Sequence, residues 1–165
     1  MQIKQELGTF KILSRTEDII TAIAQAARVC YQSEDKASPD NDRRLVHSLI
    51  ARGHHAMLEF ADMTVRFDGC SRALANEFVR HRIASYAQES TRYVKEDSIT
   101  VIEPPHRELG PNIDALVQAC EDAYKTCLKE GWKPEDARQN LPLGLESQFV
   151  VKTNMREWRQ IFMQR

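Results

Sequence analysis

The segment Arg80-His81-Arg82-Ile83-Ala84-Ser85-Tyr86-Ala87-Gln88-Glu89-Ser90-Thr91-Arg92-Tyr93 holds three arginines, one histidine and two serines with almost no aliphatic content. No other stretch of the chain is as dense in polar chemistry. Guanidinium groups near one another repel unless an anion sits among them, and each can donate two parallel hydrogen bonds to a phosphate. The pattern therefore points to recognition of phosphate or pyrophosphate. The same residues also suit a solvated basic loop or salt bridges between subunits.

A second polar cluster, Gly53-His54-His55-Ala56-Met57-Leu58-Glu59, holds two of the five histidines. Adjacent side chains point to opposite faces of a strand, or about 100° apart on a helix, so these two make a poor metal pair. One surface histidine and one hydrogen-bonded histidine is the plainer reading. Glu59 has the chemistry of a general base or an orienting carboxylate. Among the thiols, only Cys70, between Gly69 and Ser71 at a predicted helix start, has a position that could activate a nucleophile. Ser85 and Ser90 lack a G-x-S-x-G context and read as hydrogen-bonding groups. The cysteines at 30, 70, 120 and 127 form no C-x-x-C and no short Cys/His cluster, which argues against structural zinc. Cys120 and Cys127, seven apart in an apolar helical pattern, read as buried free thiols of a reduced compartment.

These groups must be positioned by the elements around them. Thr9–Ser14 reads as a short strand, and Thr16 as the cap of a helix whose Ile19, Ile23, Ala26, Ala27 and Cys30 keep 3–4 spacing up to Tyr31. A polar loop over 33–41 leads to a second helix with Leu45, Val46, Leu49 and Ile50 on one face and Gly53 as its stop. Met63, Val65 and Phe67 alternate with polar residues as a half-buried strand does. A helix from about Ser71 carries Leu74 and Phe78, and the Arg80–Tyr93 segment is expected to be its end and an ordered loop. Ser98–Ile102 suggests a strand and the proline-rich 103–111 segment an irregular connection. Leu116, Val117, Cys120, Ala123, Tyr124, Cys127 and Leu128 predict an amphipathic helix over 112–130 ended by Gly131, with Pro134 opening a short helix. Leu145–Thr153 reads as a strand despite the polar run Glu146-Ser147-Gln148. Asn154 and Glu157 resemble a capping box for a last helix with Trp158, Ile161 and Phe162 on its apolar face.

The chain has 165 residues, 42% apolar and 28% charged, with 23 Lys+Arg against 24 Asp+Glu. One core of this size is self-sufficient, and a single domain over 1–165 is expected. A net charge of -1 removes the bulk electrostatic case for a nucleic-acid partner, so any anion site must be local. Aromatic interleaving in the basic segment is limited to Tyr86 and Tyr93. Charge interrupts every apolar stretch well short of the ~20 residues a bilayer span requires. The polar start at Met1–Lys4 is unlike a signal core, so the expectation is a cytoplasmic protein with no membrane association.

Arg80-His81-Arg82, then seven residues, then Ser90 and Arg92-Tyr93, resembles the signature of the flavin-dependent thymidylate synthases. Gly53-His54-His55-Ala56-Met57-Leu58-Glu59 resembles that family's G-H-x-x-x-x-E segment. Ala26-Ala27-Arg28-Val29-Cys30, Ala137-Arg138 before Leu141-Pro142-Leu143, and Asn154-x-Arg156 match in order, so the likeness spans nearly the whole chain. It implies an α+β fold, a mainly antiparallel sheet packed with helices. It also implies reductive methylation of dUMP to dTMP, with methylenetetrahydrofolate giving the carbon, NADPH the electrons and FAD mediating the redox chemistry. No activated cysteine is needed in that chemistry.

The resemblance assigns FAD contacts to Arg80, His81 and Arg82, with Arg80 also near the nucleotide. Gln88, Glu89, Ser90, Thr91 and Arg92 would cradle dUMP, with Arg92 and Arg138 on its phosphate and Glu77 at the same pocket; Gln88 is also placed at the cofactor. Ala56 and Glu59 fall in the upstream flavin segment, and Asn154, Arg156 and Gln160 correspond to flavin contacts of the last helix. Arg165 aligns with the catalytic arginine that hydrogen-bonds the uracil and favours ionisation at its N3. The family builds its sites from more than one subunit, which implies a homotetramer. The chain departs from the family pattern at Ala56, where many relatives carry Ser or Thr, and at Phe60, where many carry His. It also stops at Arg165, where relatives continue into another helix. The alternative implied is a shortened, catalytically impaired homologue that binds flavin or nucleotide.

Overall fold

The computed structural model describes residues 2–4, 8–92, 98–104, 106 and 110–164. In chain order these form strands β1 (Gln2–Lys4) and β2 (Thr9–Arg15), helices α1 (Ile19–Tyr31) and α2 (Pro39–Ala51), strand β3 (Asp62–Ser71) and helix α3 (Arg72–Phe78). Strands β4 (Ser85–Gln88) and β5 (Thr100–Ile102), helices α4 (Pro111–Lys129) and α5 (Pro134–Ala137), strand β6 (Glu146–Asn154) and helix α6 (Met155–Gln164) follow. The expected α+β class holds: one antiparallel sheet has the order β2-β3-β6-β4, and β1 pairs in parallel with β5. No helix among the described residues is long and apolar enough to cross a membrane. The residues gather into two compact units, described in turn.

The first unit comprises residues 1–10, 66–80 and 87–150. Ile99, Val101, Val117 and Leu145 form one cluster of its core, and Phe67, Phe78 and Phe149 another, with ring centroids 5.0–5.2 Å apart. The polar run Glu146-Ser147-Gln148 does lie in a strand: Ser147 and Phe149 are buried while their neighbours are half-buried, the period of two that pleating imposes. Gly69 bends β3 at φ 67°, a conformation that favours glycine. Helix α4 buries Val117, Glu121 and Tyr124, whereas Leu116, expected on its apolar face, is 59% exposed. Cys120 and Cys127 are half-buried rather than buried, because the helix turns them to the margin of that face. The segment after α3 is not all loop, since β4 occupies 85–88.

The second unit comprises residues 11–65, 81–86 and 151–165. Ile23, Ala24, Val46, Leu58 and Ala61 form its core cluster, and Trp158 and Ile161 are almost fully buried. Trp158 Nε1 donates to the Met63 carbonyl at 3.0 Å, which satisfies the one polar atom of the ring. The N-cap of α1 is Asp18, not Thr16: Asp18 accepts from the Thr21 backbone N–H at 3.0 Å, while Thr16 Oγ1 accepts from the Asp62 N–H. Cys30 is exposed, off the apolar face assigned to it. Helix α2 starts inside the expected loop, at Pro39, with Ser38 as its cap. Gly53 follows α2 at φ 76°, where its N–H and that of His54 close the helix end. On α6, Phe162 stacks on Trp158 but remains 67% exposed.

Candidate functional site

In the second unit, the turn His55–Phe60 and the start of α6 supply one polar cavity of about 330 Å³. Glu59, Asn154, Arg156 and Gln160 line it, as do His55, Ile83, Glu157 and Arg159. Asn154 Oδ1 accepts from the Glu157 backbone N–H at 3.0 Å, the expected helix cap. The carboxylate of Glu157 does not return to the cap, as a full capping box requires; it accepts from His81 Nδ1 at 3.1 Å. Tyr86 donates its hydroxyl to the His81 carbonyl at 2.7 Å. Burial, and then the charge of Glu157, push the Tyr86 phenol above its ordinary pKa. Arg156 Nη1 lies 2.5 Å from Glu59 Oε1, both well exposed. Arg159 has no carboxylate partner among the described residues; its Nη1 lies 3.0 Å from Met163 Sδ. Both carboxylates of the lining are engaged, Glu59 by Arg156 and Glu157 by His81, while Arg159 meets only a thioether among the described residues, which leaves one cation and several hydrogen-bonding groups for a ligand with an anionic part. Ala56 and Arg82 are exposed and outside the cavity lining, and His81, also outside it, is buried.

In the first unit, Gln88, Glu89 and Ser90 line a separate cavity of about 380 Å³ with Arg66 and Gln148. Gln88 Nε2 donates to Ser147 Oγ at 3.3 Å, the Glu89 N–H to the Gln148 carbonyl at 3.0 Å, and Arg72 Nη1 to the Glu89 carbonyl at 3.2 Å. Ser90 Oγ accepts the Arg92 N–H at 3.3 Å, and Thr91 is buried. Arg92 donates to Glu135 Oε2 from Nε at 3.3 Å and from Nη2 at 3.0 Å. Arg138 Nε donates to the carbonyl of the same Glu135 at 3.1 Å. Two of the arginines assigned to a phosphate therefore converge on one residue. A further cavity holds Asp68, Glu89 and Glu146, with Lys4 on Glu146 at 2.7 Å; its acidity does not suit phosphate. Glu77, on α3, and Arg80 are exposed and outside these cavities.

The two histidines of the upstream cluster part as adjacent residues should, His54 Nδ1 to the Tyr31 hydroxyl and His55 Nε2 to the Ile50 carbonyl, each at 3.3 Å. Cys70 lies in β3 immediately before Ser71, the cap of α3, and burial, with Asp68 and Glu146 adding to it, raises its thiol pKa, the opposite of activation. No metal-binding cluster occurs among the described residues. Arg165 and Tyr93 lie outside the described residues. Arg159 was not singled out from sequence, and Glu157 only as a capping residue; the signal available for Arg159 was its i+3 spacing from Arg156, which puts the two on the same helix face.

A family model described as thymidylate synthase complementing protein matches residues 11–165. The flavin-dependent thymidylate synthase of Geobacter sulfurreducens is 35% identical over 92% of this chain and 70% of its own length. That of Pyrococcus abyssi is 33% identical over 92% of this chain and 68% of its own. Among solved structures, the thymidylate synthase X of Helicobacter pylori with FAD and dUMP superposes with a TM-score of 0.80 at 20% identity, covering 96% of this chain and 84% of that one. The UMP/dUMP methylase of Streptomyces cacaoi bound with 5-Br dUMP gives 0.80 at 21%, covering 95% and 76%. At these identities the two structures speak for the fold.

Proposed function

The chain belongs to the thymidylate synthase complementing protein family, that of the flavin-dependent thymidylate synthases, and from that premise we propose that it methylates dUMP reductively to dTMP. Methylenetetrahydrofolate supplies the carbon and NADPH the electrons. FAD, when bound, supplies the redox chemistry that links NADPH to the pyrimidine. The observation that carries the reading is the buried Nε2 of His81, which has no hydrogen-bond partner among the described residues, on a ring bonded to Glu157 of a cavity wall that also carries Asn154, Gln160 and two arginines. A buried ring nitrogen with no partner is costly, and a cofactor atom would satisfy it.

In this reading His81, Asn154, Arg156 and Gln160 hold the flavin, with Arg159 added to them as a cation free to meet the diphosphate. Ala56, Glu59, Arg80, Arg82 and Gln88 complete the cofactor contacts by their correspondence to the family pattern. Arg92 and Arg138 bind the dUMP phosphate, while Gln88, Glu89, Ser90 and Thr91 shape the loop beneath it and Glu77 and Arg80 flank the nucleotide. Arg165 hydrogen-bonds the uracil and favours its N3-ionised form, which makes C5 more nucleophilic. We further propose a homotetramer, supported by the apolar surface that Phe60, Phe162 and Met163 leave exposed in the second unit and Ile113 and Leu116 in the first. Four cysteines free of disulfides suit the cytoplasm.

The test is the visible spectrum of the purified protein with added FAD, then with dUMP. Retained flavin and a dUMP-dependent spectral change are expected, followed by tritium release from C5-labelled dUMP with NADPH and methylenetetrahydrofolate. Loss of both spectral signals would overturn the proposal. Flavin retention without tritium release would reduce it to a flavin-binding homologue.

A further inference from the structure

The two ring nitrogens of His81 are unequally served. Nδ1 lies 3.1 Å from Glu157 Oε1, whereas Nε2 is buried without a hydrogen-bond partner among the described residues. An ionised carboxylate only accepts hydrogen bonds, so Nδ1 carries the hydrogen, and in the neutral ring Nε2 is left as a bare acceptor. Glu157 is itself held on two sides. Its backbone N–H is capped by Asn154 Oδ1 at 3.0 Å, and its side chain is only 11% exposed at the cavity wall. The backbone of His81 is tied in turn by the Tyr86 hydroxyl on its carbonyl. The ring therefore has little freedom to rotate or to exchange tautomers.

We propose that Glu157 is a positioning residue for the cofactor: it takes the Nδ1 hydrogen of His81 and so presents Nε2 as an acceptor for an N–H or O–H donor of FAD. The inference rests on the FAD reading above. It extends the site to a residue that makes its contribution through another, as second-layer carboxylates do behind histidine ligands.

Nitrogen-15 spectra of the full chain without FAD read the tautomer directly. The wild type and Glu157→Gln should show His81 protonated on Nδ1, because the amide oxygen of Gln still accepts; Glu157→Ala should lose that preference. FAD affinity, followed by quenching of flavin fluorescence, should fall about tenfold in Glu157→Ala, the scale of losing an orienting partner behind a histidine. It should stay within roughly threefold of wild type in Glu157→Gln, where the neutral hydrogen bond survives. The double variant His81→Ala/Glu157→Ala should bind FAD no more weakly than His81→Ala alone. N3-methyl FAD, which lacks the ring imide N–H, tells a ring donor from a ribityl or ribose hydroxyl. A purely structural role for Glu157 would give additive losses and an unchanged tautomer, and either result overturns the inference. Wild-type protein that binds no FAD would remove the flavin reading and this inference with it. Wild-type binding with an unaffected Glu157→Ala would remove this inference alone. Should Glu157→Ala fail to fold, the wild-type and Glu157→Gln spectra still decide: a hydrogen found on Nε2 rather than Nδ1 refutes it.

Discussion

Arg92 sits in competition with an internal carboxylate, and this makes its contribution to dUMP binding calculable. Its pair with Glu135 is exposed, with 50% and 36% of the two side chains accessible, so it is worth about 0.2–1 kcal/mol. Charge-assisted hydrogen bonds to a phosphate contribute about 1.5–3 kcal/mol. Exchanging Glu135 for the substrate phosphate thus favours binding by about 1–2 kcal/mol, and Arg92→Ala should raise the Kd for dUMP roughly tenfold. Deoxyuridine, which lacks the phosphate, should bind the variant as it binds the wild type, and FAD affinity should not change. Glu135→Gln removes the competitor and should tighten dUMP binding by up to about fivefold, an effect that shrinks as salt screens the pair. Isothermal titration calorimetry with dUMP, deoxyuridine and FAD separates these terms. Equal losses for dUMP and deoxyuridine in Arg92→Ala would refute the phosphate assignment, and a Glu135→Gln variant indifferent to dUMP would refute the competition.

Two further outcomes concern the scaffold. Arg28 reaches Asp42 Oδ1 from Nε at 3.0 Å and Nη2 at 2.6 Å with both side chains about 5% exposed, so Asp42→Ala leaves a buried unpaired guanidinium. It should lose about 3–5 kcal/mol of stability in urea melts, and a loss under about 1 kcal/mol would contradict the burial argument. Hydrogen bonds from the Thr21 N–H, and then from its hydroxyl, hold Asp18 below its ordinary pKa of 3.8. A depressed folded-state value means that its stabilisation is present above pH 3.8 and is lost as pH falls through the lower folded value. Denaturation curves between pH 2 and 5 should show this acid-side loss in the wild type and not in Asp18→Asn; identical acid limbs would count against the cap.

Long, strongly periodic elements were legible because burial and period coincide in them: Val65 in β3, Ile23 and Ala27 in α1, Val117 and Tyr124 in α4 all face inward as their spacing requires. Strand β4 was not, because its four residues have no apolar alternation and its partner in the sheet, β6, begins 58 residues after β4 ends. Choosing between Thr16 and Asp18 as a cap turned on a distant event, the recruitment of Thr16 by the Asp62 N–H. The site divides in the same way. The arginines, Asn154 and the segment around Glu59 could be named from residue type and order. The pairing of Glu157 with His81 joins positions 76 apart, and the capping pattern that marked Glu157 pointed to a different use of its carboxylate. Burial of Leu116 and Phe162 was expected from helical spacing alone, which cannot tell the margin of an apolar face from its centre.

The strand order β2-β3-β6-β4 also sets when the sheet can exist during synthesis. Strand β6, at residues 146–154, lies between β3 and β4, so both earlier strands wait with unpaired edges until residues 146–154 have been made. The ribosome adds on the order of 5–20 residues per second, which leaves β4 without a partner for several seconds. Pairings this distant in sequence are slow to form, and an open edge is a template for other chains. Yield in the cell should therefore respond to chaperone supply and to translation rate as well as to the stability of the finished fold.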